Sequence, residues 1–256
     1  MPAQDRPRES AVRPTEAERD FLAAYDAAAY PHPSVTVDVA LVTAAARRLR
    51  ALLVRRHEPP CSGTWALPGG FVGMAESPDE AAVRVLEAKV GLRDVYLEQL
   101  YTFGAPNRDP RTRVITIAYY ALVDVSRLEG LTGLEHSLAA LRVPWEGERG
   151  GPVDALGKGG KSLPLAFDHA DILGLVVKRL RGKLNYTPVG FQLLPPEFTL
   201  RHLQEVHETI LGHRVNKDSF RRRMLASGLL TPTGESEGVV GHRPAALYRF
   251  TQASAA

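Results

Sequence analysis

Residues 70–92 restrict the possible folds more than any other stretch of the chain. The stretch opens as Gly-Phe-Val-Gly-Met-Ala-Glu (70–76) and continues Ser77-Pro78-Asp79-Glu80. Ser77 is placed to be an N-cap, Pro78 to take the first helical position and Glu80 to close a capping box. Gly91 is placed as the glycine that ends the helix. The pattern predicts a helix from Ser77 to about Val90, entered from a glycine-rich loop. Glu76 and Arg84 are spaced to form an ion pair that pins loop to helix. Positions 85, 88 and 89 stand at i, i+3 and i+4 and share one helix face. They carry Val85, Ala88 and Lys89, while Glu87 points about 100° away from that face.

The segments around this helix read as strands. Residues 34–43 alternate between apolar and polar, and 48–56 resume the pattern. A Pro- and Gly-rich loop follows over 57–69. Further strands are expected at about 95–103 and 113–124, separated by a loop at 104–112. Residues 125–165 carry no clear period, and Gly157 to Gly160 look like a loop tip. Residues 1–14 are rich in Pro and Arg and lack periodicity, which predicts disorder. An Ala-rich helix is expected from Thr15 to Tyr30, ending before Pro31. Cys61 is the only cysteine, so no disulfide can form within the chain. With no apolar leader and no run of about 20 apolar residues, a soluble cytoplasmic protein with no membrane partner is expected.

The frame of 70–92 resembles the Nudix box, in which Gly70, Glu76, Arg84, Leu86, Gly91 and Leu92 all fall at their family positions. WALPGGFV (65–72) directly before it strengthens the likeness. The family's three metal-binding glutamates would stand at 85, 88 and 89. Carboxylates there would make an oxygen-rich site for Mg²⁺, and the metal would bridge a diphosphate and activate water. Val85 and Ala88 cannot ligate a metal, and Lys89 is cationic, so metal-dependent hydrolysis should be absent or very slow. A fold that keeps the pocket without the catalyst reads as a sensor. Lys89 could meet a diphosphate directly and replace the metal's charge.

Other residues suit an anionic ligand. The loop around Arg108, Asp109 and Arg111 carries three arginines between two strands, and guanidinium forks bind phosphate bidentately. Arg56, at the end of a strand, is a further candidate. Phe71 and Trp65 could stack on a base, although core packing is an alternative for each. Leu165-Ala-Phe-Asp168-His169 opens a helix running to Arg181, with Asp168 a possible cap and His169 a ligand candidate.

Residues 181–256 carry ten Lys and Arg against six Asp and Glu, a weak sign of nucleic acid. After a link at Tyr186–Phe191, a helix is expected over 199–211, with Thr199 as cap and Leu200, Leu203, Val206, Ile210 and Leu211 buried. Gly212 to Val215 turn, and Asn216 caps a second helix whose apolar face is Phe220, Met224 and Leu225. Residues 229–250 read as a hairpin with its tip at Gly234 to Arg243. Two helices with a short turn and a following hairpin fit a winged helix-turn-helix, with the second helix in the major groove. The candidate DNA contacts are Asn216, Lys217, Ser219, Arg221 and Arg222, with Arg243 on the wing.

Taken together, WALPGGFV, the altered box, TFG and RDPR (102–111), LAFDH, YTPVGFQLLPPEFTL (186–200), NKDSFRRR (216–223) and GHRPAALYRF (241–250) resemble the Nudix-related transcriptional regulators of the NrtR family. The resemblance implies an α/β Nudix fold, a mixed sheet between helices, plus a C-terminal winged helix-turn-helix domain. The expected division is an N-terminal extension over 1–33, an effector domain over 34–165, a linking helix over 166–185 and a DNA-binding domain over 186–252. The resemblance also implies a homodimeric repressor of NAD-biosynthesis genes on a palindromic operator. ADP-ribose would be the effector, relieving DNA binding with no cofactor required. The linking helix is the expected path from pocket to DNA domain. A residual Nudix hydrolase of ADP-ribose or a related diphosphate, and a protein-binding module, are the rival readings.

Overall fold

The computed structural model describes residues 14–131, 133–238 and 244–251. The chain before Ser34 and the chain from Ser34 onward form separate compact units. In the first, helix α1 (Glu16–Ala24) is capped by Thr15 in a capping box with Glu18. The helix expected to reach Tyr30 stops six residues earlier. Asp26 instead accepts the Ala28 N–H and caps a separate 3-10 turn at Ala27–Ala29. No α1 residue is buried, so no packing rewards a longer helix against this local side-chain bond. Most of the segment expected to be disordered, residues 1–13, lies outside the described residues.

The second unit begins with a mixed sheet. Its strands are β1 (Ser34–Ala45), β2 (Arg48–Arg55), β3 (Trp65–Ala66), β4 (Gly69–Phe71), β5 (Tyr96–Phe103), β6 (Val114–Leu122), β7 (His136–Arg142), β8 (Asp154–Leu156) and β9 (Ser162–Leu163). The order is β5-β6-β1-β2-β7-β8-β9, with β4 on β1 and β3 on β2. The β1–β6 pair is parallel and the others are antiparallel. Helix α2 (Pro78–Val90) begins and ends as its capping residues predict, at Ser77 and at Gly91 with φ 72°. It covers one sheet face, where Val37, Val39 and Leu41 meet Ala81, Ala82, Val85, Leu86 and Val90. Helix α3 (His169–Lys183) covers the other, where Ala40 and Val42 meet Ile172, Leu173, Val176, Val177 and Leu180. The alternation along β1 thus separates two apolar layers.

Two strands occupy the stretch expected to be a loop over 57–69. β4 can lie against β1 because Gly69 has no side chain. A Cβ there would stand 2.3 Å from Asp38 Oδ1 and 2.9 Å from the Val37 carbonyl. Helix α3 runs from His169 to Lys183, shorter at both ends than the linking helix expected over 166–185, and follows Phe167 in the left-handed region at φ 50°. It is a full layer of the sandwich, with Ile172, Leu173, Val176, Val177 and Leu180 all fully buried.

The chain then forms a 3-10 turn (Val189–Leu193), β10 (Glu197–Thr199), α4 (Leu200–Leu211), α5 (Lys217–Ala226), β11 (Leu230–Ser236) and β12 (Ala246–Phe250). The three strands make a second sheet in the order β10-β12-β11. The expected link at 186–191 is in part core, since Val189, Gly190 and Phe191 are buried and Phe191 stacks on Phe250 at 4.5 Å. Leu225 was expected in the apolar face of α5 but is 47% exposed. It lies about 100° beyond Met224, which with Phe220 fills that face. The buried core runs without a break from α3 into α4, through Leu180, Leu184 and Leu203. No described helix is long and apolar enough to cross a membrane.

Where β1 meets β2 the turn is two residues long, and both Ala46 (φ 50°) and Arg47 (φ 57°) are left-handed. Such turns favour Asn-Gly, because other residues pay for the conformation, about 1 kcal/mol or more each.

Helix α3 approaches the 151–152 segment so closely that a Cβ at Gly174 would stand 1.8 Å from the Gly151 carbonyl oxygen. Gly174→Ala would raise helix propensity by about 1 kcal/mol on an isolated helix, yet here overpacking against backbone should dominate. Thermal and urea unfolding should show a net loss of about 2–3 kcal/mol; a gain would refute this packing.

Candidate functional site

A cavity of about 440 Å³ opens at one end of the first sheet. Its floor is a buried ionic network. Asp38 enters from β1 as the one charge in an otherwise apolar and hydroxyl-bearing strand. His169, the first residue of α3, accepts the Leu67 N–H at Nδ1 (3.0 Å), which leaves its ring proton on Nε2, 3.5 Å from Asp38 Oδ1. Arg108 donates to both Asp168 oxygens at 2.8 and 2.6 Å and reaches Asp38 at 3.4 Å. Burial alone would raise the Asp38 pKa, but His169, Thr116 and Arg108 outweigh it and hold the carboxyl below its ordinary value. Burial likewise opposes the Arg108 charge, and Asp168 and Asp38 overcome it.

The walls carry positive charge and aromatic faces. The Arg56 guanidinium lies 5.0 Å from the centre of the Phe167 ring, and its Nε donates to the Pro60 carbonyl at 3.0 Å. Arg111 lies 5.7 Å from the Phe71 ring centre and pairs with Asp109 at 2.7 and 3.0 Å. Hydrogen bonds from Arg111 hold the Asp109 carboxyl below its ordinary pKa. Phe71 is 51% exposed at the cavity mouth, so it is not a core residue. Trp65 is half-buried and packs against the core. Helix α2 leaves Lys89 exposed, and desolvation at the cavity mouth, reinforced by Arg56, draws its ammonium pKa down while Asp38 opposes this.

Arg56, Phe71, Lys89, Arg108, Asp109, Arg111 and His169, singled out from the sequence, all line this one cavity. Two of them are disposed differently from expectation. The fork of Arg108 is occupied by Asp168, because a nearly buried guanidinium requires a carboxylate. His169 uses both ring nitrogens within the protein. Asp168 makes no side-chain cap bond, since Arg108 holds its carboxylate. Arg113, the third arginine of the loop, donates to the Ala105 carbonyl. The sequence reading missed Asp38, although a lone charge on the inward parity of β1 was a signal. It also assigned no role to Phe167. Glu76 and Arg84 do pair, and this bond, with that from the Gly73 N–H, holds the Glu76 carboxyl down to about 2, while Arg84 also donates to the Phe71 carbonyl at 3.0 Å.

The metal face of the box offers no donor set for a divalent cation. Val85 is 2% exposed and packs under Gly70, where a Cβ would stand 3.2 Å from Val85 Cγ2. Ala88 has no ligating atom. Among the described residues no group of three or more His, Cys, Asp and Glu is arranged to hold a metal.

The second surface lies on α5. Asn216 caps it by accepting the Ser219 N–H at 3.0 Å. Asn216, Lys217, Ser219, Arg221 and Arg222 are all exposed, opposite or beside the buried Phe220 and Met224. Arg222 follows Phe220 by about 200° and points most directly outward. Arg223 folds back, its guanidinium 5.6 Å from the Phe220 ring centre. Asp218 shares the outward face and was not singled out from the sequence. His207 of α4 is buried edge-on against Phe220, 5.0 Å between ring centres, and desolvation lowers it to about 4. Arg243 lies outside the described residues.

Asp38 supplies a pH-dependent prediction. A carboxyl whose folded pKa is depressed adds stability above its unfolded pKa of about 3.9, and that stability is lost as pH falls through the folded value. Asp38→Asn should therefore be less stable than the parent at pH 7 in urea unfolding, with the gap narrowing as pH falls below about 4. A gap that widens in acid would contradict the network.

A family model for the NUDIX domain matches residues 32–146, and one for the NrtR DNA-binding winged helix domain matches residues 190–250. The chain is 40% identical over 235 residues to an ADPR responsive transcriptional repressor, NtrR, of Acinetobacter baylyi, a span of 91% of this chain and 88% of that protein. It is similar to the crystal structure of Shewanella oneidensis NrtR complexed with a 27mer DNA. That match has 32% identity and a TM-score of 0.69, covering 85% of this chain and 93% of the other. An ADP-ribose pyrophosphatase of Methanocaldococcus jannaschii is 38% identical over 90 residues, 35% of this chain and 51% of that protein.

Proposed function

The chain belongs to the NrtR family of Nudix-related transcriptional regulators, and on that premise we propose that it is a DNA-binding repressor whose Nudix domain senses ADP-ribose. The observation that carries the reading is the cavity itself. It is lined by the exposed Lys89, by Arg56, held on the Pro60 carbonyl, and by Arg111, paired with Asp109, with Phe71 and Phe167 on its walls, beside a helix face with no metal-ligating side chain. Cationic forks and an ammonium suit a diphosphate, and exposed rings suit a base or sugar face. The ligand is held without metal, and the protein is not an enzyme.

The effector domain runs from residue 34 and takes in α3, which forms one layer of its sandwich and was expected only as a link, and the DNA-binding domain is residues 186–252. In the winged-helix reading α5 enters the major groove, with Lys217, Arg221 and Arg222 reaching base edges or phosphates and Asn216 and Ser219 at its start. A homodimer presents two such helices to a palindromic operator upstream of NAD-biosynthesis genes. Relief of repression needs ADP-ribose to bind the DNA-incompetent arrangement more tightly than the competent one, since equal affinity would shift nothing.

Gel-shift titration on DNA upstream of NAD-biosynthesis genes, in EDTA, tests the reading. A retarded band that ADP-ribose reverses is expected; a band indifferent to ADP-ribose would leave the DNA reading and remove the effector. Arg222→Ala should weaken DNA binding by about 1–3 kcal/mol, and raising salt should weaken it steeply.

Lys89→Ala should lower ADP-ribose affinity in calorimetry while EDTA changes nothing. Unchanged affinity would rule out direct contact between Lys89 and the ligand. The likeness to an ADP-ribose pyrophosphatase favours one rival, residual hydrolysis. Incubation with ADP-ribose and Mg²⁺ or Mn²⁺ should yield no AMP by mass spectrometry, and its appearance would restore the hydrolase.

A further inference from the structure

Beside the apolar core it shares with α3, helix α4 is tied to the effector domain through two charged residues that were not singled out from the sequence. The first is Arg181, near the end of α3, 7% exposed. Its Nε donates to the Ile210 carbonyl at 3.0 Å, and its Nη1 donates to the Gly147 carbonyl at 2.7 Å and the Trp145 carbonyl at 3.5 Å. The guanidinium also lies 4.9 Å from the Trp145 ring centre. Its partners are carbonyls and a ring face rather than a carboxylate. Ile210 belongs to the last turn of α4, whose carbonyls lack intrahelical partners and carry the negative end of the helix dipole. Gly212 leaves room for the contact, since a Cβ there would stand 2.9 Å from Arg181 Nη2.

The second is Arg47, at the left-handed turn between β1 and β2, which pairs with Glu205 of α4 at 3.0 Å. A turn that bends two non-glycine residues into the left-handed region is held by its surroundings, and such strain gathers at working sites. Here what it presents to α4 is Arg47.

Both elements begin at the cavity floor. β1 carries Asp38 there and ends at the turn. α3 carries His169 there, and Arg181 lies twelve residues along it, about 18 Å. At the floor the two are tied by Asp38–His169 at 3.5 Å and by Arg108, which bridges Asp38 and Asp168. A ligand that altered this tie would shift one strut against the other, and α4, bonded to both, would follow. Packed elements of this kind respond by small sliding or rotation rather than by smooth deformation.

We infer that Arg181 and Arg47 are positioning residues that hold the first helix of the DNA-binding domain on the effector domain and make its orientation depend on the cavity. The inference rests on the sensing reading above for its ligand but not for its geometry.

The test uses the full-length protein, ADP-ribose, and a DNA duplex that the parent retards. Arg181→Met keeps the stem and removes the charge, and Arg47→Glu reverses the exposed pair. Both should bind ADP-ribose within about two-fold of the parent, while the effect of ADP-ribose on DNA affinity falls by about ten-fold or more. The double variant Arg47→Glu/Glu205→Arg should restore the response. Without any ligand, amide hydrogen exchange over residues 203–211 should accelerate about ten-fold in Arg181→Met. A parental ADP-ribose response in both single variants would overturn the inference. If the parent's DNA binding ignores ADP-ribose, the sensing reading fails instead. The exchange measurement then decides alone, with faster exchange supporting the positioning role and unchanged exchange refuting it.

Discussion

The buried network of Asp38, His169, Arg108 and Asp168 is the constraint on which the rest of the structure depends. Burying charges is costly unless they are paired and hydrogen-bonded. Each charge here is answered by a group from another element: β1, the first turn of α3 and the loop between β5 and β6. Gly69 must be glycine because β4 closes over Asp38, and the Leu67 N–H fixes the ring of His169. The cavity therefore has a floor that cannot rearrange one residue at a time. Contacts at that floor are felt by the elements that leave it.

Electrostatics also bears on how the proposed sensor would hold a diphosphate without a metal. A diphosphate needs positive charge close to its oxygens, from a cation or from side chains. With Val85 turned into the core and Ala88 without a donor, the α2 face supplies only the Lys89 ammonium, and Arg56 and Arg111 approach from other elements. Charge from such side chains can bind a diphosphate. It does not reproduce the activation of water by a fixed divalent ion. The proposed change from hydrolase to sensor needs no more than the substitution of donors on one helix face.

Much of the local structure was legible along the chain. The start of α2 at Ser77-Pro78 and its end at Gly91 follow from which residues satisfy the free backbone groups of a helix end. The same holds for Thr199 and Asn216. The α1 helix was overextended because propensity was counted without burial: its Ala-rich continuation buries no residue, and Asp26 accepts the Ala28 N–H instead. Leu225 was misplaced because three apolar residues at 220, 224 and 225 were given one face, whereas the turn of the helix buries only two. β3, β4 and β10 are two or three residues long, too short for any period to show.

The sequence by itself determined the capped helices, the alternation that separates the two faces of β1, and the absence of carboxylates at 85, 88 and 89. These depend on backbone chemistry and periodicity over a few neighbours, which a linear chain displays. Only the tertiary structure decided that Arg108 is committed to Asp168 and Arg111 to Asp109, that Asp38 lies at the cavity floor, and that Arg181 and Arg47 reach α4. A guanidinium is the same in sequence whether it meets a carboxylate, a carbonyl or solvent. Its role is settled by partners 60 residues away for Arg108 and Asp168, and 158 for Arg47 and Glu205.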